Sequence, residues 1–198
     1  FIRVGSSIYK ISRKIKVKNL YLASKNKGKI GEYKKLLAGV NCKLLLQPET
    51  LKVEEDGLTF RDNAMKKACE VSRKINNFSI ADDSGICIEA LDGKPGIYSS
   101  RYAENDQKRI ERVLKELDGV HNRSAFFIAN ICVCSPNGEV IIESEAKCQG
   151  NIILKPRGKG GFGYDPIFEE SSTRLTFAEM NNDIKDSCSH RGKALKKI

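Results

Sequence analysis

The sequence predicts an α/β fold in which helices flank a long mixed β-sheet. Strand-like and helix-like segments alternate in the first half of the chain, and two long segments rich in β-branched residues follow around a turn in the second half. Alternation favours parallel pairing, whereas two strands joined by a turn pair antiparallel. With 198 residues, of which 40% are hydrophobic, the chain can form one domain, or two lobes that share the sheet.

The first half is predicted to contain three strands and two helices. The strands are Asn19–Ser24, Lys43–Leu46 and Phe78–Ala81, and the last of them ends in a polar cluster at 82–85. Ile30, Tyr33 and Leu37 have helical spacing before Gly39, and Thr59 is placed to cap a second helix that buries Ala64, Ala68, Val71 and Ile75.

The second half is predicted to contain one helix, a β-hairpin and a C-terminal helix. Ile110, Val113, Leu114 and Leu117 mark the first helix, which Gly119 closes. Ser124–Ser135 and Val140–Ile153 form the hairpin around the turn Pro136-Asn137-Gly138. A glycine-rich segment at 157–164 follows, then a short strand at Ile167–Phe168 and a final helix that begins near Ser189.

The net charge of +10 comes from the N-terminal segment. Residues 1–35 hold 11 Lys/Arg and one acid, so the remaining residues are electrically balanced. Attraction to nucleic acid is therefore expected only of the basic leader at 1–18, which we interpret as a disordered tail or a cloning remnant before a single domain at 19–198. The chain begins with Phe1 rather than Met, which is consistent with a missing natural start. No apolar run approaches the ~20 residues that span a bilayer.

The seven cysteines show no metal-binding spacing. They lack a C-x₂-C pair and an accompanying histidine cluster, which argues against zinc. Cys132 and Cys134 alternate along a predicted strand, so both face the same side. We expect free thiols in a reducing cytoplasm.

The first polar cluster lies between the first strand and the first helix. It consists of Ser24, Asn26 and Lys29 in the pattern S-x-N-x-x-K. A helix N-terminus offers free N–H groups and a positive dipole end, so phosphate is the ligand that fits, although a polar connecting turn has the same composition.

Two acidic clusters are candidates for a metal site. Asp82-Asp83-Ser84-Gly85 follows an apolar strand, and Glu54-Glu55-Asp56-Gly57 precedes the second helix. Adjacent carboxylates repel one another, and Mg²⁺ needs only one or two of them together with water and phosphate oxygens. An aspartate-rich turn and favourable helix-dipole contacts are the structural alternatives.

The fourth cluster combines glycines, aromatic rings and cations. It runs from Gly160 to Pro166 and is followed by Lys185 and by Ser189-His190-Arg191. Glycines around Phe162 and Tyr164 suit a loop that closes over a flat ring, with one of the two aromatic side chains stacking on it. His190 beside Arg191 in a polar turn indicates ligand contact.

In this order, the segments closely resemble the inosine triphosphate pyrophosphatase family (XTP/dITP diphosphatases). The resemblance covers residues 19–198 and rests on SKNKGK, VEEDGLTFRDNA, ADDSG, DGKPGIYSSRYA, GGFGYDPIF, TFAEM and the K-x-x-x-x-HR ending. It implies two lobes around a central substrate cleft, a homodimer, and Mg²⁺-dependent hydrolysis of ITP, dITP and XTP to monophosphate and pyrophosphate. Family members usually continue the last helix, so we expect a truncated or disordered C-terminus.

The resemblance also implies residue roles. Asp83 and Glu54 correspond to the metal carboxylates, and Asp83 is also the proposed base. The remaining positions correspond to substrate-binding residues: Ser24, Asn26, Lys29, Lys67, Ser84, Phe162, Gly163, Tyr164, Asp165, Lys185, His190 and Arg191. Lys66 beside Lys67 leaves that assignment open, and Arg101 is a further candidate for a phosphate contact.

Selection of the base has a simple chemical basis. Hypoxanthine and xanthine present a keto oxygen that Lys185 or Arg191 can bond, whereas the amino group of adenine would leave a buried donor unpaired. Three other functions remain open: a pyrophosphatase for other modified nucleotides, a non-catalytic nucleotide- or RNA-binding protein, and a protein whose cysteines perform metal or redox chemistry.

Overall fold

The computed structural model describes residues 17–198, so the prediction for the leader lies outside the described residues except at its last two positions. Val17 is buried in the core, and the Lys18 carbonyl accepts a hydrogen bond from the Lys43 N–H at 2.9 Å. These two residues therefore pack with the domain that follows. At the other end of the chain, Ile198 is also part of the core.

Six strands lie among the described residues, namely β1 (Asn19–Leu22), β2 (Lys43–Leu46), β3 (Phe78–Ile88), β4 (Ser124–Cys134), β5 (Val140–Ile152) and β6 (Phe168–Glu170). The α-helices of the same residues are α1 (Lys27–Leu36), α2 (Phe60–Ile75), α3 (Asp106–Glu116), α4 (Asn182–Cys188) and α5 (His190–Leu195). Short 3₁₀ segments occupy Glu89–Leu91, Gly96–Arg101 and Asp165–Ile167.

The strands form one mixed sheet in the order β2-β1-β3-β4-β5-β6. Strand β1 pairs parallel with both β2 and β3, whereas β5 and β6 are antiparallel. Strands β4 and β5 are joined by a tight turn, where the Ser135 N–H donates to the Glu139 carbonyl at 2.9 Å. The predicted α/β fold with a mixed sheet and the predicted hairpin are therefore confirmed.

Capping side chains begin the four helices α1 to α4. In each helix the side chain of the capping residue accepts the N–H of the residue three positions on, and the caps are Asn26, Thr59, Asn105 and Asn181. Each cap satisfies one of the backbone donors that a helix leaves unpaired at its N-terminus, an interaction worth about 1 kcal/mol. The predicted Thr59 cap is confirmed.

The chain divides into two compact units. The first takes the described residues up to Asp83 together with Ala129–Ala146 and Arg191–Ile198, and the second takes Ser84–Ile128 and Lys147–His190. The first unit has two apolar clusters, one that includes Tyr33 from α1 and one that includes Ala68 from α2. The second unit has a core of its own around the phenylalanines at 127, 168 and 177.

The prediction that a strand ends at Ala81 is wrong. Strand β3 continues through the polar cluster to Ile88, and the side chains of Asp82 and Asp83 are buried within it. The pairing of β3 with β1 ends at Ile80, and β4 is the neighbour of β3 on the other side. The two carboxylates are tolerated in the strand because buried cations compensate them.

Two further predictions are corrected. Helix α4 was not expected, whereas the predicted final helix near Ser189 is confirmed, because α5 begins at His190. The predicted polar turn is wrong for His190 and Arg191, which are helical and buried, while Ser189 between the two helices is buried as well. Free thiols were expected throughout, but Cys69 and Cys134 form a disulfide. Cys132 and Cys134 do face the same side of β4, as predicted, with their sulfurs 3.8 Å apart.

No helix of the described part of the chain is long and apolar enough to cross a membrane.

Candidate active site

The connection between β1 and α1 is organised by its own side chains. Ser24 Oγ accepts a hydrogen bond from the Asn26 N–H at 3.2 Å, and Asn26 Oδ1 accepts one from the Lys29 N–H at 3.1 Å. These bonds fix the turn and leave the first amides of α1 at a helix N-terminus, where an anion is favoured. Asn26 is exposed and Ser24 is half-buried, so a phosphate group can reach this turn from solvent.

Lys29 is held in place by Asp82. Lys29 Nζ lies 3.1 Å from Asp82 Oδ2, and Arg191 Nε lies 3.1 Å from the same oxygen. Arg191 also pairs with Glu32. Three chain segments that are distant in sequence are thus joined by one buried network of charges within the first unit.

Burial and charge act in opposite directions in this network. Burial alone would raise the pKa of Asp82, but the charges of Lys29 and Arg191 outweigh burial and hold the pKa of this carboxyl below its usual value. Burial also lowers the pKa of Lys29, although Asp82 partly opposes that shift. Burial would likewise lower the pKa of Arg191, but Glu32 and Asp82 raise it, so the guanidinium stays charged.

Asp83 belongs to β3, and its side chain forms a second buried site of the first unit with residues of α2. Its Oδ2 accepts a hydrogen bond from Asn63 Nδ2 at 3.1 Å, and its Oδ1 lies 3.4 Å from Lys67 Nζ. Lys67 Nζ also pairs with Glu55 at 2.5 Å. Lys66 instead pairs with the exposed Asp56, so of the two lysines it is Lys67 that lies at Asp83.

Asp83 is the carboxyl of this site that is suited to accept a proton. Burial raises its pKa above the ordinary value, and the negative charge of Glu55 adds to the shift, while Lys67 and Lys29 oppose it. Burial would lower the pKa of Lys67, but Asp83 and Glu55 outweigh burial and raise it. A carboxylate with a raised pKa beside a persistent cation is an arrangement typical of general-base sites.

The site residues also fit a divalent cation. Asp83 and Glu54 offer hard oxygen ligands, which Mg²⁺ prefers. Glu54 is exposed and forms no ion pair with a described residue, so its carboxylate is available, whereas Glu55 already pairs with Lys67. Burial raises the pKa of Asp83 although Lys67 and Lys29 oppose the shift, and a divalent ion would favour the ionised form.

The second unit contains the other predicted set of ligand contacts. Lys185 Nζ pairs with Asp165 Oδ2 at 2.7 Å, and the Phe162 N–H donates to the same oxygen at 2.8 Å. The ammonium of Lys185 lies 5.2 Å from the centroid of the Phe162 ring. At Gly161, which has a φ of +73°, a Cβ would approach Asp165 Oδ2 to 2.0 Å, so glycine is required for this contact.

The two aromatic residues predicted to stack on a ligand, Phe162 and Tyr164, have different environments. Tyr164 is buried in the core of the second unit, and its hydroxyl donates to the Ser99 carbonyl at 2.9 Å. Phe162 remains half-buried and is therefore the ring of the pair that can stack on a ligand. The Gly163 N–H donates to Asp106 Oδ2 at 2.7 Å, which holds this loop to α3.

His190 lies in an aromatic stack rather than in a polar turn. It is 3% exposed, and its ring is nearly parallel to that of Phe127, with the centroids 4.8 Å apart.

Ser84 follows Asp83 in β3 and is half-buried. Arg101 is exposed and lies over the ring of Tyr98.

Sequence reasoning missed Asn63, and it named Glu55 and Asp82 only as members of the two acidic clusters, without a role for either. A signal for Asn63 was present, because a polar residue on the helix face that also carries Ala64 and Ala68 needs a buried partner. Asn63 Oδ1 accepts the Gly57 N–H at 2.8 Å, and a Cβ at Gly57 would approach that oxygen to the same distance. No pattern in the sequence indicates that Asp82 pairs with Lys29 and Arg191.

Comparison with known proteins identifies relatives over nearly the whole chain. A sequence profile described as the Ham1 family matches residues 20–198. The dITP/XTP pyrophosphatase of Prochlorococcus marinus subsp. pastoris is 80% identical over 182 residues, which are 92% of this chain and 95% of that protein. The dITP/XTP pyrophosphatase of a second Prochlorococcus marinus strain is 49% identical, over 90% of each chain. The solved structure of a HAM1 protein from Coxiella burnetii is 38% identical, covers 91% of this chain and 96% of its own, and has a TM-score of 0.82.

Proposed function

Because the chain belongs to the Ham1 family, we propose that it hydrolyses the non-standard purine nucleotides dITP, ITP and XTP to the monophosphate and pyrophosphate. The observation that carries the proposal is the buried carboxylate of Asp83. Asn63 and Lys67 position it, and its raised pKa suits it to take a proton from water.

The residues of the first unit perform the chemistry on the phosphates. Asn63 fixes Oδ2 of Asp83, so Oδ1 is the atom that orients the attacking water and takes its proton. Lys67 compensates the charge beside that oxygen. Ser24, Asn26 and Lys29 hold the triphosphate, and the positive charge of Lys29 favours departure of pyrophosphate.

Magnesium is the proposed metal, and Asp83 and Glu54 would hold it. When bound there, Mg²⁺ supplies charge neutralisation at the phosphate oxygens and polarises the phosphorus under attack. In this proposal Asp83 has both roles, since its carboxylate would bind the metal ion and would accept the proton from water.

The residues of the second unit are proposed to recognise the base. The half-buried Phe162 ring offers a stacking surface, and Lys185 beside it offers a donor for the keto oxygen at position six. Arg191 is less suited to that role, because Asp82 and Glu32 already pair with its guanidinium. Ser84, Gly163 and the Asp165 carboxylate complete the proposed contacts, with Tyr164 and His190 supporting them from the core.

We also propose that the protein works in the cytoplasm as a homodimer. The described residues contain no helix that could span a membrane, and the family resemblance implies a dimer. Sedimentation of the purified protein tests the second point.

Product analysis tests the proposed activity. Purified protein is incubated with Mg²⁺ and, separately, with ITP, XTP, dITP, ATP and GTP, and the products are separated by ion-exchange chromatography. We expect pyrophosphate and monophosphate from the first three substrates, with kcat/KM lower by ~10²–10⁴ for ATP. Stepwise release of orthophosphate, or equal rates with ATP and ITP, would contradict the proposal.

A further inference from the structure

Three of the seven cysteines meet in the apolar core of the first unit. Cys69 comes from α2, whereas Cys132 and Cys134 come from the same face of β4. Their sulfur atoms all lie within 4.8 Å of one another. Cys69 is 9% exposed, and Cys132 and Cys134 are exposed by 1% and 0%.

The surroundings of these sulfurs are apolar. The cluster consists of small and branched side chains, among them Ala64, Ala68 and Val71 of α2. The Cα atoms of Cys69 and Cys134 are 5.3 Å apart, which is within the range that a disulfide requires, and the two residues are bonded. Cys132 remains a thiol, 3.8 Å from the Cys134 sulfur.

We propose that Cys69, Cys132 and Cys134 form a thiol–disulfide site, in which the Cys69–Cys134 bond ties helix α2 to strand β4 and Cys132 is the alternative partner of Cys69. Helix α2 also carries Asn63 and Lys67, so the tie stabilises the helix that supports Asp83. The inference concerns the covalent state of the core and does not depend on the substrate.

Formation of the bond requires a co-reactant, and a low-molecular-weight disulfide such as oxidised glutathione is the class that fits. Cys69 is the most exposed of the three, so its thiolate attacks the small disulfide first, which forms a mixed disulfide and releases one thiol. The Cys134 thiolate then attacks the Cys69 sulfur. This step forms the Cys69–Cys134 bond and releases the second thiolate, and the two protons that the cysteines lose end, by way of solvent, on the two released thiolates, which become thiols.

Cys132 can exchange into the bond without any further oxidant. Its thiolate would attack the Cys69 sulfur, form a Cys69–Cys132 bond and release Cys134 as a thiol. Burial raises the pKa of Cys132 to about 12, so its thiolate is scarce near neutral pH. Exchange within the folded protein is therefore slow, and one pairing persists.

The positions of the three cysteines allow Cys69 to bond to either Cys132 or Cys134. Cys132 and Cys134 are two residues apart on one extended strand, a spacing of ~6.5–7 Å between Cα atoms that a disulfide bridges poorly. Removal of Cys69 should therefore abolish the bond, whereas removal of Cys134 should redirect it to Cys132.

Disulfide mapping tests the proposal on the full chain. Wild-type protein is incubated with oxidised glutathione, alkylated, digested without reductant and analysed by mass spectrometry. We expect a Cys69–Cys134 linked peptide in wild type, a Cys69–Cys132 peptide in Cys134→Ala, and no link among these residues in Cys69→Ala. The control Cys148→Ala removes a buried cysteine of the second unit and should retain the Cys69–Cys134 peptide.

Thermal unfolding supplies an independent readout. The bond joins residues 65 positions apart, and a link of that span should raise the Tm by on the order of 10 °C in a protein of this size. Reductant should lower the Tm of wild type and of Cys148→Ala by that amount and leave the Tm of Cys69→Ala unchanged. Free Cys69 in oxidised wild type, a Tm that does not respond to reductant, or a stoichiometric metal ion retained by the three thiols would overturn the proposal. Free Cys69 in oxidised Cys134→Ala would overturn the role of Cys132.

Discussion

Asp82 is the residue on which the buried charges of the first unit converge. Its carboxylate pairs with Lys29 and Arg191, and one of its oxygens, Oδ1, is buried without a hydrogen-bond partner among the described residues. A buried carboxylate of this kind is tolerated only while its cations remain in place. Asp82 therefore positions Lys29. Removal of any member of the network would leave a buried charge without one of its counterions.

Arg191→Ala is expected to be strongly destabilising. It leaves Asp82 and Glu32 without their shared cation, and removal of one partner of a buried pair costs about 3–5 kcal/mol of unfolding free energy. Arg61→Ala is the control, because Arg61 pairs with Glu143 at the surface, where such pairs contribute about 0–1 kcal/mol. Urea unfolding measures both variants, and similar losses would contradict the assignment of Arg191 to a buried network.

Lys185→Met is expected to reduce the preference for ITP over ATP. Lys185 is the proposed donor to the keto oxygen, and loss of a specific hydrogen bond should lower the ratio of the two kcat/KM values by ~10²-fold. The ratio is measured rather than the rate, because removal of Lys185 also takes a cation away from the buried Asp165 carboxylate. Lys159→Met changes an exposed lysine of the same unit and should keep the ratio. Full discrimination in Lys185→Met would exclude this lysine as the determinant.

The two neighbouring glutamates provide a matched pair for the metal site. Glu54→Gln is expected to raise the Mg²⁺ concentration needed for half-maximal activity by ~10-fold or more, because a ligating carboxylate is lost. Glu55→Gln should change this concentration less, since Glu55 pairs with Lys67. Magnesium titrations of ITP hydrolysis measure both variants, and a larger effect at Glu55 would assign the ligand to that position instead.

The segment after β6 shows how one buried carboxylate can organise a turn. Glu170 is 5% exposed and accepts hydrogen bonds from the N–H groups of Ser172 and Thr173, at 3.1 and 2.8 Å, and from the Ser172 hydroxyl. Burial would raise the pKa of Glu170, but these hydrogen bonds outweigh burial and lower it. The folded state therefore prefers the ionised carboxylate more than the unfolded state does.

Glu170→Gln is expected to destabilise the protein by about 1–3 kcal/mol at neutral pH, since a neutral amide oxygen cannot satisfy the same donors. Because the folded pKa is lowered, the stabilisation is present above the unfolded pKa of ~4.3 and is lost as the pH falls through the folded value. The difference from wild type should therefore shrink below pH ~4. Glu104→Gln, at an exposed position of the second unit, should show no such pH dependence in urea unfolding. A difference that stays constant down to low pH would contradict the ionised state of Glu170.

Elements with a strong local signal were predicted from the sequence, and elements that depend on distant partners were not. The β4–β5 hairpin and the Thr59 cap follow from alternation and from capping chemistry. The continuation of β3 past Ala81 could not be predicted, because the charge of Asp82 is compensated by Lys29 and Arg191, 53 and 109 residues away. Helix α4 has seven residues and no apolar periodicity, so it left no pattern to detect.

At the candidate site, too, some residues could be predicted from the sequence and others could not. The order of the segments led to Asp83, Lys29 and Lys185 through a family resemblance, and these residues do lie in networks of buried charge. The polar sequence around His190 led to the prediction of a ligand contact, but the His190 ring stacks on Phe127 instead. Burial is a property of the tertiary structure, and a short run of polar residues in the sequence does not reveal it.

The distribution of charge over the chain agrees with a small-molecule enzyme better than with a nucleic-acid binder. The excess of positive charge is confined to residues 1–35, and the acids and bases of the remaining chain are equal in number. The cations at the candidate site are instead paired with carboxylates. Such pairing positions individual groups, whereas binding to a polyanion requires a surface with unpaired positive charge.

In the proposed reaction, water attacks the phosphorus next to the ribose, so that pyrophosphate departs intact. Hydrolysis of ITP in ¹⁸O-labelled water with Mg²⁺, followed by mass spectrometry of both products, tests this claim directly. We expect one ¹⁸O atom in inosine monophosphate and none in pyrophosphate. Label in pyrophosphate, or in released orthophosphate, would show that a different phosphorus is attacked and would contradict the proposed role of Asp83.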